Sequence, residues 1–181
     1  MATHPRTHIA FLRAINLGAR RKFPKAAIVT ATEAAGFEEV ATHINTGNVR
    51  FDTTLRSRAR IESALETAYR ADRDFEVPTV VFTQAELRAI ADEAEQVAAG
   101  HGGGAHYVSL LKEAPTAALA EKIEALGDER GRAHVSGRAV HLLVMDPYHQ
   151  ARLTNVTVEK LLGVATNRNL SVISALAQKW C

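Results

Sequence analysis

Between His8 and Phe82 the chain alternates two kinds of apolar spacing, and their order narrows the fold more than any other feature. Ile9, Phe11 and Ile15 alternate within His8–Ile15, as a mostly buried strand requires. Pro24 suits the first turn of a helix, where its missing N–H has no partner to lose. Ala27, Ile28, Ala31 and Ala35 then share one face before Gly36 stops the helix. Val40–Asn45 reads as a second strand, Thr46-Gly47-Asn48 as a tight turn, and Val49–Phe51 as the start of a third strand. Thr53 or Thr54 is expected to cap a helix whose apolar face is Ile61, Ala64, Leu65 and Ala68. Pro78–Phe82 is a β-branched fourth strand, and Thr83 with Glu86 forms a capping-box signature for a helix running to about Ala94. Strand, helix, strand, strand, helix, strand is the ferredoxin-like, split βαβ pattern. It predicts a four-stranded antiparallel sheet with both helices on one face.

Residues 95–104 are expected to form a loop, with glycines at 102, 103 and 104. After it the order recurs in part. A strand begins at Ala105–Leu111, a helix follows over Pro115–Leu126, and Ala133–Ser136 and Ala139–Met145 flank a Gly137-Arg138 hairpin turn. Tyr148 or Asn155 opens a helix ended by Gly163, and Leu170–Trp180 is a last helix. No fourth strand is legible in this half. The fold class expected is therefore α+β, with two ferredoxin-like subdomains of antiparallel strands, the second incomplete and ending in helices. The boundaries expected are 1–83 for the first subdomain, 84–104 for a helix and glycine-rich linker, and 105–181 for the second.

Four polar stretches stand where packing alone would not ask for them: Arg13 to Gly18, Asn45 to Asn48, Asn155 with Lys160, and Thr166 to Asn169. Arg13 offers a planar fork of donors suited to carboxylate or phosphate. Asn16 and Gly18 end its strand, and Gly18 allows both a turn and close backbone approach. Thr46, Gly47 and Asn48 offer turn amides, a hydroxyl and a carboxamide, and successive turn amides can form an anion nest. Lys160 and Arg168, beside Asn169, add two cations. Two readings of these groups stay open. They line a site for a small phosphate- or carboxylate-bearing ligand between the subdomains, or they serve structure, with Asn16 and Asn48 fixing turns and Arg168 locking the subdomains.

In order and spacing these motifs resemble a bacterial family of unknown function, the domain-of-unknown-function family numbered 1697. Its opening L-R-G-I-N-V-G strand and basic turn match Leu12 to Gly18 and Arg20-Arg21-Lys22. Its Gly-Phe and S-G-N-V-x-F segments match Gly36-Phe37 and Thr46 to Phe51. Its closing helix and T-x-R-N-W segment match Leu153-Thr154-Asn155, Glu159-Lys160 and Thr166 to Leu170. Ala14 stands for the usual Gly and Leu170 for the usual Trp. The resemblance implies two ferredoxin-like subdomains and no established activity.

Other chemistries find less support. The one cysteine, Cys181, allows no intrachain disulfide, which fits a reducing cytoplasm. No apolar run approaches the ~20 residues that span a bilayer, so no membrane partner is expected. No nucleophile elbow surrounds any Ser, and His43 reads as a structural strand residue. His101 and His106 flank the glycine loop, and His4 and His8 lie close together, but neither pair has a metal-site spacing. No metal or cofactor is expected. Asp52 and Asp146 read as turn or cap residues rather than a catalytic pair. The three glycines are not followed by the Lys-Ser/Thr of a phosphate loop. Net charge is +3 over 1–80, −5 over 81–130 and +4 over 131–181. These diluted blocks suit an anionic ligand better than nucleic acid, which calls for a cationic stripe. Phe11 and Phe51 sit at core spacing rather than as a base-stacking pair. The alternatives carried forward are a nucleic-acid-binding protein and an interaction protein whose polar motifs are structural. The sequence sets neither a reaction nor an oligomeric state.

Overall fold

A computed structural model describes residues 4–100, 103–145 and 147–181. The expectations placed on His101, Gly102 and Asp146 lie outside the described residues. The chain divides into two compact units, one running to Glu86 and including Trp180, the other Leu87–Lys179 with Cys181.

The first unit comprises β1 (Arg6–Leu12), α1 (Lys25–Ala34), β2 (Glu38–His43), β3 (Asn48–Thr53), α2 (Arg58–Arg73) and β4 (Thr79–Thr83). Its sheet is antiparallel, in the order β2-β3-β1-β4. Alternation along β1 sends Ala10 and Leu12 to one face. There they join Val49, Phe51 and Val81 beneath Ile28 of α1 and Ile61, Leu65 and Tyr69 of α2. Full burial of each large apolar side chain contributes about 1.5–3 kcal/mol. A buried polar pair in this layer satisfies itself, with the Thr32 and Tyr69 hydroxyls 2.8 Å apart. Ile9, Phe11, Val80 and Phe82, of opposite parity, are also buried.

Among the described residues β4 pairs with β1 alone. Its amides on the other side are met by carboxylates. Glu66 accepts from Thr79 N (2.8 Å) and Glu62 from Val81 N (3.0 Å), both from α2. Glu86 accepts from Thr83 N (2.8 Å), while Thr83 Oγ1 accepts from Glu86 N, which completes the capping box read from the sequence. The expected cap of α2 is corrected. Ser57 accepts from Arg60 N, whereas Thr53 is still paired in β3 and turns the chain by accepting from Leu55 N.

The connecting helix α3 (Gln84–Ala99) runs past the expected end at Ala94, because Gly100 is its first strong breaker. It buries Leu87, Ile90, Ala91 and Ala94. The second unit continues with β5 (Ala105–Leu111), α4 (Ala117–Glu124), β6 (Gly131–Ser136), β7 (Ala139–Val144), α5 (Asn155–Leu162), β8 (Ala165–Asn169) and α6 (Leu170–Trp180). Its sheet order, β6-β7-β5-β8, repeats the first. The sheet is thus complete, which corrects the expectation that the second half lacks a fourth strand. β8 pairs with β5 from Tyr107↔Asn169 to Leu111↔Ala165. Its polar text, Thr-Asn-Arg-Asn, hides a strand because Thr166 and Arg168 are buried by bonding to each other. Leu111, Val140, Leu142, Val144, Val158 and Ala165 form the core on one face.

Candidate functional site

The two polar stretches of the first unit meet. After Leu12 the backbone enters positive φ at Ala14 (55°) and Asn16 (55°), a region that costs an ordinary residue about 1–2 kcal/mol. Ala14 stands where the resembling motif has glycine, the residue that fits this conformation freely. Asn16 closes the loop. Its Nδ2 donates to Asn45 O (2.8 Å) and Phe23 O (3.2 Å), its Oδ1 accepts from Phe23 N (2.8 Å), and its own N donates to Arg21 O (2.7 Å). Arg21 donates to Ala14 O and to Glu76 O, and lies 4.6 Å over the Phe75 ring. Gly18 adopts φ 74°, ψ −171°, a conformation essentially confined to glycine, and a Cβ there would meet nothing within 4 Å. It is required for the turn rather than for close approach.

Across from this loop, Ile44 (φ 51°) and Gly47 (φ 75°) shape the β2–β3 turn. Leu12 N donates to Gly47 O (2.8 Å). Asn48, fully buried, donates to His43 O (3.1 Å) and Thr46 Oγ1 (3.0 Å). Asn16 therefore ties the two loops together, Asn48 and Thr46 brace the β2–β3 turn from within, and Arg13 is half-buried with its amide on Pro78 O. The loop pair exposes Leu17 and Ile44. The side chains of Arg20, Lys22 and Lys25 are exposed and make no hydrogen bond or ion pair among the described residues.

The candidates of the second unit do not converge with one another. Arg168 is buried and donates to Thr166 Oγ1 (2.9 Å) and Asn167 O (2.7 Å), and burial brings its guanidinium pKa down to about 10. Lys160 is exposed on α5, the helix that packs on the Ala165 face of the sheet rather than the Arg168 face. Asn169 caps α6, accepting from Val172 N and Ser171 Oγ.

A further cluster went unread in the sequence. His134 and His141 pair across the β6–β7 hairpin, and His106 Nε2 lies 3.2 Å from His141 Nδ1. Glu93 of α3 reaches His134 Nε2 (3.2 Å) and lies 3.8 Å from His141 Nε2, while Glu124 of α4 is 3.6 Å from His134 Nδ1. The hairpin read from Gly137-Arg138 already places 134 opposite 141, so the signal was present. No group of three or more His, Cys, Asp or Glu among the described residues has the arrangement of a metal site. Burial, aided by His134, lowers the His141 pKa against the pull of Glu93. Burial also opposes the charge on Glu93, but bonds from Ser136 and His134 and the nearby histidines hold its pKa below the usual value.

Both shifts have the same consequence. A folded-state pKa below the unfolded one leaves stability intact above the unfolded value and erodes it as pH falls toward the folded one. The protein should lose stability from about pH 6.5 downward through His141, and again below about pH 4.3 through Glu93. His141→Gln should reduce the slope of stability against pH between 5 and 6.5 in urea titrations, by at most ~1.4 kcal/mol per pH unit. An unchanged slope would assign the titration elsewhere.

Two antiparallel sheets of identical order, each interleaved with helices, define a tandem ferredoxin-like α+β protein. The chain belongs to the DUF1697 family, described as a protein of unknown function, whose model matches residues 6–141. The solved structure of conserved bacterial protein SP0830 from Streptococcus pneumoniae is similar in fold. It aligns with a TM-score of 0.77 at 17% identity, over 97% of this chain and 98% of that one. No curated protein sequence matches the chain. Among the described residues no helix is long and apolar enough to cross a membrane.

Proposed function

We propose that the loop leaving β1 binds a small phosphate- or carboxylate-bearing molecule. The observation that carries this reading is the set of exposed cations Arg20, Lys22 and Lys25, whose side chains have no partner among the described residues, on a backbone stapled in place by Asn16 and Arg21. Residues 1–32 hold six Lys and Arg and no Asp or Glu, so nothing in this stretch neutralises them. Strain at Ala14, Asn16 and Ile44 persists only where surrounding bonds over-determine the loop. A loop already held in one shape loses little freedom on binding, which favours affinity. The fork of Arg20 suits a carboxylate or phosphate face, and lysine ammoniums add charge without fixed geometry. The single cysteine, exposed and free, supports a cytoplasmic setting.

Thermal-shift measurements with inorganic phosphate, nucleotides, sugar phosphates and short RNA test the reading. At ~100 times its Kd a ligand should add about 2.7 kcal/mol of stability. The gain should shrink with salt and vanish in Arg20→Ala/Lys22→Ala, whose unliganded melting should match the wild type because both side chains are exposed and make no bonds among the described residues. A wild type unmoved by every compound sinks the reading. A shift by RNA alone, with a steep logarithmic salt dependence, replaces the small ligand by nucleic acid.

A further inference from the structure

The second unit contains a cavity of about 200 Å³ that the loop site does not involve. Its apolar wall is Leu126, Val144 and Leu153, and the last two belong to the core of this unit. Its polar rim carries Arg130, Arg152 and Asp128. The volume is below the ~300–1,000 Å³ of drug-sized sites, so a small metabolite fits it better than a nucleotide.

The rim groups are not equivalent. Asp128 is engaged: its Oδ1 accepts from Arg130 N (2.8 Å) and Gly131 N (3.1 Å), and its own amide donates to Gly131 O (2.8 Å). That knot fixes the entry to β6 and with it one side of the rim. The Arg152 side chain is exposed and makes no hydrogen bond or ion pair among the described residues. An arginine and an apolar wall lining one cavity match a carboxylate with a short hydrocarbon body. Asp128 offsets one of the two arginine charges at the same rim. What separates carboxylate from phosphate is the apolar wall, which a hydrocarbon body covers and inorganic phosphate, having none, does not.

We propose that this cavity binds a small aliphatic monocarboxylate, with the carboxylate on Arg152 and the hydrocarbon against Leu126, Val144 and Leu153. The proposal is independent of the β1 loop, which lies in the other unit and lacks an acidic neighbour in sequence.

Amide NMR of the full chain titrated with 3-methylbutanoate tests it, with inorganic phosphate and sodium chloride as parallel titrations. The expected result is saturable shifts at the Gly131 and Val144 amides, weaker with phosphate and absent with chloride. Arg152→Ala should weaken the interaction at least tenfold while leaving the spectrum elsewhere and the melting temperature unchanged. No saturable shift by ~10 mM overturns the proposal. So do shifts of equal midpoint in Arg152→Ala, or phosphate moving the Gly131 and Val144 amides with as low a midpoint as the carboxylate. Loss of phosphate binding in Arg20→Ala/Lys22→Ala would concern the loop alone, so the two sites fail separately.

Discussion

Replacing Gly47 by alanine should cost the first unit about 2–4 kcal/mol and lower its melting temperature by more than ~10 °C. Two penalties combine. Gly47 has φ 75°, and a side chain in left-handed backbone costs about 1–2 kcal/mol. The new Cβ would also lie 2.7 Å from Leu12 Cβ and 2.9 Å from Ile15 Cδ1. Leu12 Cβ is anchored to a central strand and Ile15 is buried, so neither can withdraw freely. Overpacking of this kind adds about 1–3 kcal/mol. Gly36→Ala supplies the comparison. Gly36 has φ 85°, but a Cβ there would meet nothing within 4 Å, so only the backbone penalty of about 1 kcal/mol applies. Urea midpoints of the two variants measure the difference. Equal losses would show that the β2–β3 turn moves away from β1 without resistance.

Glu62→Ala should cost about 2–4 kcal/mol, and more than Glu66→Ala. Both carboxylates accept an amide of β4, and hydrogen bonds to charged groups contribute about 1.5–3 kcal/mol. Glu62 is 1% exposed, so no water reaches the Val81 amide when the carboxylate is removed. Glu66 is half-buried, and solvent can replace it at Thr79. The Arg58 contact, 4.0 Å from Glu62 and partly exposed on the arginine side, adds little. Glu62→Gln keeps an acceptor oxygen and should recover most of the loss. Denaturation of the three variants reads the order directly, and equal effects at 62 and 66 would refute the burial argument.

Most of the first sheet was legible because its strands alternate apolar residues and its breaks fall on Gly and Pro. The capping box at Thr83 and Glu86 and the hairpin at Gly137-Arg138 were read from local chemistry and form as read. β8 was not legible. Its buried positions are Thr166 and Arg168, whose burial depends on bonds that no hydrophobic pattern records. The polar loop of the first unit was found, but its side chains sort in a way the sequence does not reveal. Asn16, Thr46 and Asn48 look like ligand groups by type, yet each bonds to its neighbours. Arg20 and Arg21 are adjacent and chemically identical, yet the Arg21 side chain is tied to two carbonyls while that of Arg20 makes no bond among the described residues. Only the path of the backbone separates them. The histidine cluster depends on Glu93, whose approach from α3 is a matter of helix packing rather than of spacing along the strands.

The carboxylates along β4 have a consequence for assembly. A strand whose outward amides are bare recruits another strand, from a peptide or from a second copy, and the sheet grows. Here Thr79, Val81 and Thr83 each already donate to a glutamate. An incoming strand would have to displace three anions and peel α2 from the sheet before it could pair. Polymerisation through this side of the protein is therefore gated by local unfolding of a helix, and a native-state partner meeting this side must dock through side chains.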